Sequence, residues 1–141
     1  TETPTPSVLP IQVGKRSDGD DADTVSSDPE TSSSGSAVKY RIVIDNDSDV
    51  EVTITSILDD LYPTAECLDI DGNSVIGVTL SAEDNDAEIV SDKGADSAVC
   101  YFTETVSGAS GDSITDKIVV TVEDVDGNVG SDFDTAKVII Q

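Results

Sequence analysis

From residue 37 onward, apolar side chains return at every second position. Val38, Tyr40, Ile42 and Ile44 alternate with mostly polar neighbours. Val50, Val52 and Ile54 repeat the pattern, as do Ile118, Val120 and Val122, and finally Ala136, Val138 and Ile140. A period of two sends one face into a core and the other into water, which describes a strand and not a helix. The branched residues Val, Ile and Thr that fill these segments suit a pleated, half-buried surface.

Turn signals separate the segments. Asn46-Asp47-Ser48-Asp49 breaks the chain after the first, so that 38–45 and 50–56 read as an antiparallel hairpin. Ala65 to Ile70 is a short strand or loop, Asp71-Gly72-Asn73 turns, and Val75 to Leu80 returns. Glu83-Asp84-Asn85-Asp86 is another acidic turn, Ala98 to Val106 a strand, Ser107 to Asp112 a Gly/Ser loop and Ile114 to Glu123 a long strand. An acidic loop over 124–134 precedes the last strand. Seven to eight strands spaced this way predict an all-β, antiparallel β-sandwich. Residues 1–16 read as an N-terminal arm with a possible first strand over Val8 to Gly14, where Pro10 suits an edge. Residues 17–36, nearly all Ser, Asp, Gly and Thr, read as an acidic loop or linker that cannot bury a core. The sandwich itself is expected over 37–141.

Charge narrows the function. Thirty acidic side chains face seven basic ones, with no histidine, for a formal net charge of -23 over 141 residues. Nucleic acid binding needs clustered Lys and Arg, and anionic membrane surfaces repel such a chain. No apolar stretch is long enough for a membrane span. Without histidine there is no Ser-His-Asp or Cys-His pair, and two cysteines alone do not make the usual zinc shell. Paired carboxylates able to cleave a glycosidic bond are not distinguishable among so many acids. An enzyme is therefore not expected.

The acids gather at strand ends, where a hard cation finds oxygen ligands. Calcium accepts six to eight oxygens with little geometric demand. The main candidate set is Asp124, Asp126, Asn128, Asp132 and Asp134, with Gly127 allowing the sharp turn. Asp69 and Asp71 repeat the pattern in Asp69-Ile70-Asp71-Gly72-Asn73, where an Asp-Gly hairpin turn is the stronger reading. Asp59 and Asp60 either complete one of these sites or end a strand. Asp45, Asp47 and Asp49 read as a turn, and Asp18, Asp20, Asp21 and Asp23 as solvated. Cys67 and Cys100 are expected to pair, since the other signals are extracellular.

Several segments resemble immunoglobulin-like repeats of large bacterial and archaeal surface proteins. The resemblance runs through Ile11-Gln12-Val13-Gly14-Lys15, the segment 38–46, the segment 52–62, and Val119 to Asp124 with Asp126-Gly127-Asn128 and Asp134 to Ile140. It implies a secreted, non-enzymatic β-sandwich, strung in tandem in adhesins, stalks or surface polymers, with calcium frequent at domain ends. The chain departs from that pattern in its long insert at 17–36. The resulting expectation is an extracellular, cell-surface structural or adhesive module stiffened by calcium and contacting neighbouring repeats or subunits. The alternatives are a recognition module that takes a glycan or host-surface protein through its loops, and a polymer subunit joined by strand addition from the arm.

Overall fold

The computed structural model describes residues 9–17, 30–82 and 96–141. They form eight strands: β1 (Ile11–Ser17), β2 (Glu30–Ser32), β3 (Ser36–Asn46), β4 (Val52–Asp59), β5 (Thr79–Leu80), β6 (Ser97–Val106), β7 (Ser113–Glu123) and β8 (Val129–Ile140). One sheet has the order β1-β3-β6 and the other β2-β8-β7-β4-β5. The inward faces meet in one core, with Tyr40, Ile42 and Ile44 of β3 against Ile54 of β4, Ile118 and Val120 of β7 and Ile140 of β8, all buried. An all-β sandwich with this strand order has the immunoglobulin-like arrangement, in which a short early strand runs beside the last one.

The inward residues of β3, β6, β7 and β8 are those the alternation marks. Several expectations need correction. The segments 38–45 and 50–56 do not form a hairpin: β3 pairs with β1 and β6, whereas β4 pairs with β7 and β5. Each has one apolar face, and those faces bury more by opposing each other across the core than by lying side by side. Asn46 makes the corner between them. Buried, it donates from Nδ2 to the carbonyls of Val50 (2.9 Å) and Ser81 (2.8 Å), and its Oδ1 accepts from the Ser48 amide and hydroxyl. Asp45, read as part of a turn, is buried inside β3.

The acidic loop read over 124–134 is shorter than expected, because β8 begins at Val129 and holds Asp132 and Asp134 in register with β7. The turn that remains is self-contained. Asp124 accepts at Oδ1 from the amides of Asp126 and Asn128 and at Oδ2 from the Asn128 side chain. Gly127 adopts φ +85°, a conformation that favours glycine. Asp69-Ile70-Asp71-Gly72-Asn73 repeats this build: Asp69 Oδ1 takes the amides of Asp71 and Asn73, and Gly72 has φ +86°.

The N-terminal segment is part of the sandwich. β1 pairs antiparallel with β3 from Ile11 opposite Asn46 to Ser17 opposite Tyr40, and Leu9, Ile11 and Val13 are buried. The segment read as a linker supplies β2, which pairs parallel to β8, so this sheet is mixed. The acids at 18, 20, 21 and 23, and the turn at 83–86, lie outside the described residues.

Candidate functional site

A lysine is almost never fully buried unless paired. Lys15 is buried, and it stands inward on β1 after Ile11 and Val13. Its Nζ reaches across the core to the opposite sheet, where it contacts Oδ2 of Asp59, at the end of β4, and Oδ2 of Asp116, on β7. Both carboxylates are buried as well. Asp116 occupies an inward position in the run Ile114, Asp116, Ile118, Val120, where an apolar residue would be expected. Asp59 turns inward because a β-bulge between Ile54 and Ser56 shifts the phase of β4.

Aromatic rings enclose the cluster. The chain has three tyrosines and two phenylalanines, and three of those five rings gather here. Nζ lies 4.8 Å from the ring centre of Tyr40 and 5.0 Å from that of Phe102. Tyr40 and Phe102 stack at 5.0 Å, and Tyr62 closes the group at 5.9 Å from Tyr40. The lysine charge thus faces two ring faces and two carboxylates with no water-exposed surface of its own side chain.

The two carboxyls differ. Burial foremost, together with the hydrogen bond to Asp59, pushes Asp116 up to about 7, against the pull of Lys15. Burial also works against the charge on Asp59. The hydrogen bond from Asp116, the contact and charge of Lys15 and the Tyr62 amide outweigh it, and hold this carboxyl below the usual carboxylate range. Asp59 Oδ1 accepts the amides of Leu61 and Tyr62, both at 3.0 Å. Burial raises the phenols of Tyr40 and Tyr62 as well. One carboxyl is therefore biased to keep its proton beside one biased to lose it, the pattern that separates acid from base roles.

The residues singled out as metal ligands are dispersed. Asp59 is committed to Lys15. Asp60 is exposed and accepts the Lys117 amide at 2.8 Å, extending the β4–β7 ladder. Asp132 and Asp134 accept the backbone amides of Val13 (2.8 Å) and Lys15 (2.7 Å), standing in for a neighbouring strand at the open edge of β1. Asp124, Asp126 and Asn128 form the β7–β8 turn, and Asp69 and Asp71 its twin. Among the described residues, no group of three or more acidic or cysteine side chains is gathered as a metal shell. Hydrogen bonds to the Asn128 side chain foremost, and to backbone amides, hold Asp124 below the usual carboxylate range.

Cys67 and Cys100 are joined, with Cα atoms 5.2 Å apart. Cys100 lies on β6 and Cys67 on the segment that follows β4; the next residue, Leu68, pairs antiparallel with Tyr101 of β6, so the bridge fastens that segment to β6. A shallow cleft of about 340 Å³ opens beside it, lined by Ile57, Cys67, Leu68, Asn73 and Ile76 among others. Among the described residues no helix is long and apolar enough to cross a membrane.

No family model and no curated protein matches the chain. Among solved structures, it is similar to PapD-like domain 7 of human CEP192, at 7% identity over 100% of this chain and 94% of that one, with a TM-score of 0.48. It is also similar to the sporulation control protein Spo0M of Bacillus subtilis, at 13% identity over 93% of this chain and 50% of that one, with a TM-score of 0.42. A third similarity is to the CARDB domain of a Pyrococcus furiosus protein in complex with di-metal ions, at 13% identity over 99% of this chain and 100% of that one, with a TM-score of 0.38. Likeness this remote carries no argument about function.

Proposed function

We propose that this chain is a non-enzymatic structural module of an extracellular surface protein or filament, built to carry load along its length. One observation carries the reading: the Lys15–Asp59–Asp116 cluster crosses the core from sheet to sheet, and a second tie, the Cys67–Cys100 bridge, fastens the segment after β4 to β6. The three charged side chains of the cluster are buried within the core. The disulfide fits an oxidising compartment.

The path of the backbone supports the same reading. Leu9 donates its amide to the Val129 carbonyl at the start of β8, and Lys15 donates to Asp134 further along it. β1 and β8 thus run side by side in one direction. Leu9 lies at one pole of the sandwich and Ile140 at the other, so a pull on the two ends shears β1 along β8 instead of peeling it.

Calcium is a further part of the proposal. Exposed acids at both poles repel one another, and a divalent cation relieves that repulsion. A calcium titration followed by thermal melting tests it. A saturable rise in melting temperature, reversed by EDTA and not reproduced by sodium chloride at equal ionic strength, supports a bound ion. A rise that sodium chloride reproduces overturns that part.

Location tests the main reading. Antibody against the folded chain is expected to label intact, unpermeabilised source cells, and both cysteines to resist alkylation in denaturant until reduced. Labelling only after permeabilisation, with both thiols reactive, overturns the proposal.

A further inference from the structure

We propose that Lys15 and Asp116 are joined by an intramolecular isopeptide bond, Nζ to Cγ, which the folded chain forms by itself with Asp59 as the proton carrier. This goes beyond the load-bearing reading and stands on the geometry of the buried cluster alone.

The fold supplies what amide formation needs. The amine and the acid are already in contact, held from opposite sheets by strand-paired backbone, Lys15 opposite Ile42 and Asp116 opposite Ala136. Positioning of this kind replaces an encounter between two reactants by a step within one molecule, with effective concentrations far above any in solution. A second carboxylate, Asp59, touches the same nitrogen, and the amides of Leu61 and Tyr62 fix its orientation. The rings of Tyr40, Phe102 and Tyr62 keep bulk water from the reacting atoms.

The two acids take different roles. Asp59, held below the usual range, is the ionised partner and accepts a proton. Asp116, raised by burial, keeps its own and is the better electrophile, because a carboxylic acid is attacked more readily than a carboxylate. The step balances as follows. The Lys15 ammonium passes a proton to Asp59, and the freed lone pair on Nζ attacks Cγ of the protonated Asp116. The carbonyl π pair moves onto oxygen. Asp59 then gives its proton to the departing hydroxyl, which leaves as water as the carbonyl re-forms, and takes the surplus proton from nitrogen. One C–N bond forms, one C–O bond breaks and one water is released. No oxidant, reductant or cofactor is consumed. The starting cluster holds a buried ammonium and a buried carboxylate; the product holds a neutral amide and a neutral Asp59. Burying charge is costly, so the desolvated site favours the product.

The test is the intact mass of the full 141-residue chain, purified folded, then reduced and denatured. A salt bridge does not survive that treatment, whereas an amide does. The expected mass is one water below that of the sequence, with a protease digest yielding the peptide of Lys15 covalently joined to the peptide of Asp116. The Asp-Gly pairs at Asp18, Asp71 and Asp126 can lose water by closing on their own backbone, so the digest decides. Full mass in the native chain overturns the proposal, as does a water loss mapped to an Asp-Gly pair or a join between Lys15 and Asp59. Lys15→Ala and Asp116→Ala are expected to have full mass. Asp59→Asn, close in size, tests the proton carrier. An unlinked chain whose β7 amides stay protected from hydrogen exchange supports that role, and linkage as complete as in the native chain overturns it. The native chain decides the bond even where a variant does not fold.

Discussion

At the scale of single residues, Lys15 decides most. Taking one partner from a buried ion cluster leaves uncompensated charge, at a cost of ~3–5 kcal/mol. Lys15→Met leaves Asp59 and Asp116 facing each other with no cation. It is expected to lower the unfolding free energy measured by urea denaturation by that amount or more, since it also removes the proposed bond. Titration of Asp116 gives a second readout. Before any bond closes, its folded value near 7 lies above its unfolded one, so the native state holds the extra proton between the two. The stability it contributes is present below the unfolded value and is lost as pH rises through about 7. The groups around it are Lys15 on β1, Tyr40 on β3, Asp59 on β4 and Tyr62 beyond β4. Once Asp116 is an amide it no longer titrates, and what slope remains belongs to Asp59, which the proposed step leaves neutral in the same site. The 13C signal of Asp116 Cγ is therefore expected to keep an amide shift at both about pH 5 and about pH 8 in the native chain. A signal that moves from carboxylic acid to carboxylate between them would mean that Asp116 still carries a free carboxyl. Gly130 matters for space instead of charge: a Cβ there would stand 2.4 Å from the Leu9 carbonyl oxygen, so the lead into β1 seats only on a glycine.

At the scale of elements, β1 is the strand most dependent on its surroundings. Among the described residues no strand is paired with its outer edge; β8 runs alongside, and its Asp132 and Asp134 side chains accept amides that a paired strand would bond. Asp132→Ala with Asp134→Ala is expected to expose the Val13 and Lys15 amides to hydrogen exchange while β7 stays protected. Unchanged exchange at those two amides would show the carboxylates to be incidental. The alternation shows that 11–15 has a buried face, but not which element covers its edge. The disulfide acts on a longer range. Closing a loop over the 33-residue separation of Cys67 and Cys100 is worth roughly 3–4 kcal/mol on the chain-entropy model. Reduction is expected to lower the unfolding free energy by that amount without unfolding the chain, since the buried cluster persists. Complete unfolding on reduction would make the disulfide the dominant tie. The β3–β4 pair shows how far sequence reading reaches at this scale. Both strands and their inward residues were legible, but a turn of the same composition serves a hairpin or a corner. Packing of the two apolar faces across the core chose the corner, and Asn46 holds it, its side chain bonded to Val50 and to Ser81, 35 residues apart from it in the second case.

At the scale of the whole molecule, the two ties govern how the sandwich responds to force. A bond from Lys15 to Asp116 takes everything between them out of the load path. For a reduced chain pulled by its ends, that hides about 100 residues, on the order of 350 Å of extended chain. Single-molecule unfolding of the native chain is expected to release that much less contour length than Lys15→Ala does. Equal lengths would show that no covalent tie bears the load. The extreme acidity acts at this scale too: like charges over the surface keep such a molecule soluble and apart from other anionic surfaces, and they destabilise the compact state through self-repulsion. Ties that hold without regard to ionic strength offset that repulsion.

Local pattern alone determined that this protein is built of strands, where most of them lie, which side chains face inward and that two cysteines are available to pair. These follow from a period of two and from turn chemistry, which act over a few residues. The acid cluster at 69–73 was legible as a turn for the same reason, because its hydrogen bonds are local; 124–128, read as part of a calcium set, has the same local build. Only the tertiary structure decided the use of the buried charges. Lys15 and Asp116 each sit at inward parity, a sign visible in the chain, yet nothing local says that they meet 101 positions apart. Asp59 carries no such sign, because a bulge three residues earlier reverses its face. Contacts between sheets depend on which strands oppose one another, and that is set by packing of the entire core.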